Sequence, residues 1–93
     1  MAVEVILDFS DTATDRQLHA QLKSKFGFPD YYGANWDAFW DCISVDVEMP
    51  DRITILGTEQ FKGRFERSYD IMRRLLRKYV AYCRPHKVVV DWR

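Results

Sequence analysis

Ninety-three residues, 47% hydrophobic and 30% charged, have room for one hydrophobic core and exclude both a disordered chain and a second catalytic domain. No apolar run approaches the roughly 20 residues that cross a bilayer. The zero net charge hides a segregation: residues 1–28 carry four acids and three bases, residues 29–51 six acids and no base, and residues 52–93 four acids and eleven bases, which points to charged partners for at least one block.

Val3, Val5 and Leu7 alternate with Glu4, Ile6 and Asp8, predicting a first strand with one buried face. This start lacks the basic and apolar stretches of a secretory signal, so a cytoplasmic chain is expected. Thr14 and Gln17 form a capping-box pattern at the head of a helix whose Leu18, Leu22 and Phe26 share a face and which Gly27 can end in a left-handed conformation. Pro29 begins a loop, and Asn35 suits the N-cap of a second helix reaching about Val45. After a break at Pro50-Asp51, Ile53-Thr54-Ile55-Leu56 reads as a second strand ended by Gly57, followed by a brief helical turn at residues 58–61 that Gly63 interrupts. Phe65, Tyr69, Met72, Leu76, Val80 and Cys83 keep the apolar period of a long helix that Pro85 stops, with Arg67, Arg73, Arg74, Arg77 and Lys78 on its other faces. Lys87-Val88-Val89-Val90-Asp91 is a third strand, whose near-continuous apolar run suits a central or parallel position. The order β-α-α-β-α-β predicts an α/β fold: a three-stranded parallel sheet with right-handed crossovers and helices packed on it, one domain over residues 1–93.

The second helix concentrates the acidic block. At about 100° per residue, Ala38, Phe39, Cys42 and Ile43 fill the arc assigned to the core, with Trp36 and Trp40 at its edge. Asp37 and Asp41 fall together on the opposite side. Asp37 lies in the first turn, where the helix dipole favours a carboxylate. Asp41 lies further along, and the like-charge pair costs about 0.2–0.5 kcal/mol with no lysine or arginine on the helix to relieve it. Solvation of an outer face accounts for two acids, but not for acids without bases, flanked by tryptophans and preceded by Tyr31-Tyr32-Gly33. Aromatic side chains around a charge are the anchors of tight protein interfaces. Residues 29–51 also match the roughly 20–30 residues that one partner contributes to a standard interface, so the expected target is a basic protein surface.

The run Pro29-Asp30-Tyr31-Tyr32-Gly33-Ala34-Asn35-Trp36-Asp37-Ala38-Phe39-Trp40-Asp41-Cys42 resembles the signature of the barstar family of intracellular bacterial ribonuclease inhibitors. The preceding helix with Leu18-His19 and Leu22, the later strands, and Cys83 before the last strand occur in the same order, so the resemblance covers nearly the whole chain. It implies three parallel strands with packed helices, and an inhibitor that plugs a ribonuclease active site with the second helix and the loop before it. Carried across, Asp41 would place its carboxylate where the nuclease holds an RNA phosphate among arginines and a catalytic histidine, and Asp37 would pair with a basic residue that handles RNA. Tyr31 would stack near the catalytic histidine, with Asn35, Trp36 and Trp40 completing the contact. The family pattern has an aliphatic residue at Trp36, Gly-Trp at Val45-Asp46, and a glutamate contact on the last long helix, where residues 73–78 are basic here. These departures alter the rim and suggest a different cognate enzyme: a secreted or contact-delivered ribonuclease toxin, bound 1:1 by a monomeric immunity protein.

Two other classes compete. A nucleic-acid-binding module could use Arg64, Arg67, Arg73, Arg74, Arg77 and Lys78 on phosphates, but these bases spread around several faces and the acidic block repels nucleic acid. An enzyme would need one carboxylate of the Asp37–Asp41 pair raised in an apolar pocket, and none is visible. His19 and His86 lack metal-ligand spacing and read as exposed or satisfied histidines. Cys42 falls on the inward side of its helix, and both cysteines read as reduced, mostly buried thiols. No catalysis, metal, cofactor or membrane partner is expected.

Overall fold

The computed structural model describes residues 4–82 and 87–93. The expectations placed on Val3, Cys83, Pro85 and His86 fall outside the described residues. The chain runs β1 (Glu4–Asp8), α1 (Asp15–Phe26), α2 (Trp36–Asp41), a π-helical segment (Cys42–Asp46), β2 (Arg52–Leu56), α3 (Thr58–Arg64), α4 (Glu66–Tyr82) and β3 (Val89–Trp92). The strands pair in parallel in the order β1-β2-β3, with Leu7 opposite Ile55 and Ile55 opposite Trp92. This is the α/β architecture expected from the element order, with α1 and α2 making one crossover and α3 and α4 the other.

Period-two alternation builds the sheet's core face: Val5, Leu7 and Phe9 are buried while Glu4, Ile6 and Asp8 are exposed. On the outer face Thr54 sits opposite Ile6 and donates its hydroxyl to Glu4 Oε2 at 2.7 Å, which lets a polar residue be buried in the middle strand. Leu18, Leu22, Phe39, Ile43, Ile53, Ile55, Phe61, Met72 and Leu76 close the core from the helices and strands. At α1, Thr14 Oγ1 accepts from Gln17 N at 3.1 Å, and Gln17 Oε1 accepts from Ala13 N at 2.9 Å, one residue before the usual capping-box partner. Gly27 ends α1 at φ 71°.

Four elements depart from expectation. α3 is a full helix through Gly63 to Arg64, and the chain turns at Phe65, not at the glycine. Its hold is tertiary: Phe61 is fully buried with its ring 4.8 Å from that of Phe9, and Arg64 Nη1 donates to the carbonyls of Ser10 and Thr12 at 2.7 and 3.2 Å. On α4 the inward positions are Tyr69, Met72, Leu76 and Tyr79, whereas Val80 is 43% exposed. Two successive four-residue steps from Met72 would rotate the stripe by about 80°, and the three-residue step to Tyr79 returns it to the core. β3 is parallel but at the edge, and β2 takes the centre. Val88 and Val90 lie beside α4 while Val89 is half exposed, so the valine run does not report burial on both faces. Lastly, the helix expected to reach Val45 is α-helical only to Asp41.

Candidate functional site

The loop before α2 is held from inside. Tyr32 N donates to Pro29 O at 3.0 Å, closing a turn that buries the Tyr32 ring against Phe28 (centroids 4.8 Å apart) and leaves Tyr31 73% exposed. Ala34 takes a left-handed φ of 53°, a conformation that costs a non-glycine residue about 1 kcal/mol or more. Asn35 holds it in place: its Oδ1 accepts from Ala38 N at 2.8 Å as the N-cap, and its Nδ2 donates to Gly33 O at 3.2 Å. The same side chain therefore starts α2 and fixes the chain entering it.

At the other end, Ser44 Oγ donates to Trp40 O at 2.6 Å, competing for a carbonyl of the last α-turn. Val47 N reaches Cys42 O at 3.1 Å, the i to i+5 bond of a π-turn. This wider turn keeps Cys42 and Ile43 buried while putting Val45 outside, 80% exposed.

Behind the loop lies a polar network. His19, on the buried side of α1, is 1% exposed, with Nδ1 2.6 Å from Tyr32 Oη. Its Nε2 has no hydrogen-bond partner and faces Asp15 Oδ2 at 3.7 Å. The Asp15 carboxylate favours the proton on Nε2, and burial raises the Tyr32 phenol so that it stays protonated, so Tyr32 donates to Nδ1. Burial lowers the His19 pKa, and Asp15 opposes that in part. The Trp36 ring packs over the imidazole (centroids 4.6 Å apart), and its Nε1 donates to Ser68 Oγ on α4 at 3.3 Å. The Ser68 hydroxyl in turn donates to Asp15 Oδ1 at 3.1 Å. Thus α1, the loop, α2 and α4 share one network under the face. His19 is neither exposed nor fully satisfied, contrary to the sequence reading, because one ring nitrogen is left without a partner.

The outer face is acidic. Asp37 and Asp41 are exposed, and among the described residues neither is in a salt bridge. Partial desolvation, and after it the Asp46 carboxylate, raise the Tyr31 phenol above its ordinary value. Cys42 is buried and free. Burial first, then Asp46 and Asp41, push its pKa up, so it remains a thiol and has none of the character of a nucleophile. Trp40 is half-buried at the edge of the face. Lys78 of α4 lies over its ring, Nζ 4.4 Å from the centroid.

Tyr31, Asn35, Asp37 and Asp41 are exposed and Trp40 is half-buried along the loop and α2, while the polar edge of Trp36 is turned inward to Ser68. His19, Asp15, Ser68 and Lys78 were not legible as parts of the site, because each joins it across a helix–helix contact that no local spacing reports. Among the described residues no cluster of three or more His, Cys, Asp or Glu could hold a metal ion, and no helix is long and apolar enough to cross a membrane. A family model described as "Barstar (barnase inhibitor)" matches residues 2–91. A protein of Bacillus subtilis (strain 168) named "Putative ribonuclease inhibitor YrdF" is 41% identical over 66 residues, which cover 71% of each chain.

Proposed function

The chain belongs to the barstar family, and on that premise we propose that it is a ribonuclease inhibitor and not an enzyme, binding its target through α2 and the preceding loop. The observation that carries this reading is the pair Asp37 and Asp41, one helical turn apart and exposed, without a counter-ion among the described residues, on the element that also carries Trp40 and follows the exposed Tyr31. A site that binds polyanionic RNA is basic, so a helix carrying carboxylates can stand in for phosphates and draw the enzyme in by charge. Asp41 is the central phosphate mimic and Asp37 its neighbour. Tyr31, Asn35, Trp36 and Trp40 supply apolar contact and shape around them. The partner is a basic ribonuclease of secreted or toxin type, bound 1:1 by a cytoplasmic immunity protein that is monomeric when free.

The nucleic-acid-binding alternative is less well supported. Of the six bases it would use, Arg64 is engaged with two backbone carbonyls and Lys78 with Trp40, which withdraws both ends of the set from a phosphate-binding stripe.

The test is an RNA-cleavage titration of the purified chain against a panel of basic bacterial ribonucleases, repeated with Asp41→Ala, Asp37→Ala and Tyr31→Ala. Truncating one partner of a buried, hydrogen-bonded charge pair costs about 2–5 kcal/mol, a range for which the barstar–barnase complex is itself a reference case. Asp41→Ala is expected to weaken inhibition most, by more than tenfold, while the circular dichroism of each variant matches the parent. Unchanged affinity in Asp41→Ala would refute phosphate mimicry.

A further inference from the structure

We propose that the groove between α4 and the outer edge of β3 is a second docking surface, which takes an extended, acidic-ended segment of a partner protein as a fourth strand. The groove holds about 410 Å³ and is floored by Leu76, Val80, Val88, Val90 and Trp92, with Arg73 and Arg77 along its α4 side. Among the described residues neither guanidinium is in an ion pair or hydrogen bond, and no acidic residue lines the groove.

The edge supplies the second half of the argument. Val89 N and Arg93 N donate across to Asp51 O and Ile55 O at 2.9 and 2.7 Å. In a parallel ladder successive residues point their amide and carbonyl groups to opposite sides, so those of Val90 and Trp92 point to the open edge. Among the described residues no strand pairs there. An open edge beside an apolar groove is the geometry of strand addition, in which main-chain bonds give affinity and alternate side chains give selectivity. A peptide whose alternate residues face α4 would set apolar side chains over the floor and acidic ones against Arg73 and Arg77. The same charges disfavour a second copy of this chain, because antiparallel self-pairing would bring two basic lips together. Nucleic acid fits the floor poorly: four of its five residues are aliphatic, and the one aromatic, Trp92, is packed edge-on with Tyr69.

This surface lies on a different side of α4 from the contacts with α2. Around α4 Arg73 and Arg77 lie roughly 100–140° from Lys78 and roughly 140–180° from Ser68, the residues that meet Trp40 and Trp36 of α2. The proposal and the inhibitor reading can therefore fail independently.

The experiment uses the full chain and a fluorescein-labelled peptide, Glu-Thr-Val-Thr-Val-Thr-Glu, followed by anisotropy. Saturable binding is expected, weakened at least tenfold by Arg73→Glu with Arg77→Glu, at least tenfold by N-methylation of the peptide backbone, and severalfold by raised salt. The milder pair Arg73→Gln with Arg77→Gln repeats the test if charge reversal disturbs the fold. Three results would overturn the proposal: no binding of the acidic peptide, binding indifferent to the arginines or to N-methylation, or preference of the groove for a labelled oligoribonucleotide. Sedimentation showing a dimer broken by Arg73→Glu would likewise replace the peptide with a second copy.

Discussion

Mild acid is expected to destabilise the fold through His19. In the unfolded chain an imidazole titrates near 6.5, and in the fold burial holds His19 below that value, with Asp15 offsetting only part of the effect. Between the folded and unfolded pKa values the unfolded state binds more protons. The stabilisation is therefore complete above about pH 6.5 and declines as pH falls toward the folded value. One proton contributes a slope of at most about 1.4 kcal/mol per pH unit, so going from pH 7.5 to 5.5 costs no more than about 1.4 kcal/mol. The structural event is specific: protonated Nδ1 becomes a donor, and the Tyr32 hydroxyl 2.6 Å away must turn to accept. Asp8, whose pKa the Ser10 side-chain and backbone bonds hold below the ordinary carboxylate value, titrates at lower pH and leaves this window clear. Urea unfolding followed by tryptophan fluorescence across pH 7.5 to 5.5 reads the effect, with His86→Gln as a control for the second histidine. The parent and His86→Gln should lose stability across this window, by no more than about 1.4 kcal/mol, while His19→Gln stays flat. An unchanged slope in His19→Gln would refute the assignment.

Association with the ribonuclease should slow at least tenfold between 0.1 and 1 M salt, as the screening length falls from about 10 to about 3 Å; a salt-independent rate in stopped-flow mixing would mean that the acidic face does not steer. Gly57→Ala should destabilise by about 2–4 kcal/mol in thermal or urea unfolding. Gly57 has φ 73°, where an L residue pays roughly 1–2 kcal/mol, and a Cβ there would lie 2.5 Å from Ser10 N and 2.7 Å from Ser10 Cα, both backbone. A loss below about 1 kcal/mol would show that the β1–α1 loop yields freely.

Local chemistry carried much of the fold. The Thr14 and Asn35 caps, the Gly27 terminus and the inward side of β1 each depend on residues within a few positions of one another, and each is found where its pattern places it. What local pattern missed is set by distant partners. α3 passes through Gly63 because Phe61 and Arg64 are anchored on the β1 end, more than 50 residues back. The π-turn depends on a serine hydroxyl choosing one carbonyl. The helical wheel placed Asp37 and Asp41 outward and Cys42 inward, which is their arrangement in the fold. It could not place Trp36, whose indole nitrogen is turned to Ser68, 32 residues away.

The same distinction explains how a neutral chain can carry a strongly acidic face. Several bases of residues 52–93 are engaged: Arg64 on the Ser10 and Thr12 carbonyls, Arg52 and Arg93 on Asp91, Lys62 over Tyr69, and Lys78 over Trp40. Among the described residues none of these bases sits in a salt bridge with Asp37 or Asp41, and Asp30 pairs with Lys23, a base of the first block, at 3.7 Å. Asp37 and Asp41 thus keep their field toward solvent, although the whole chain sums to zero. Lys78 lies beside this face, and its position over an indole, not beside a carboxylate, trims the edge of the field without cancelling its centre. On the proposed reading, a partner meeting this surface encounters exposed carboxylates with Lys78 at their margin, and the surface that would fit it is basic opposite Asp41 and carries no further cation opposite Trp40.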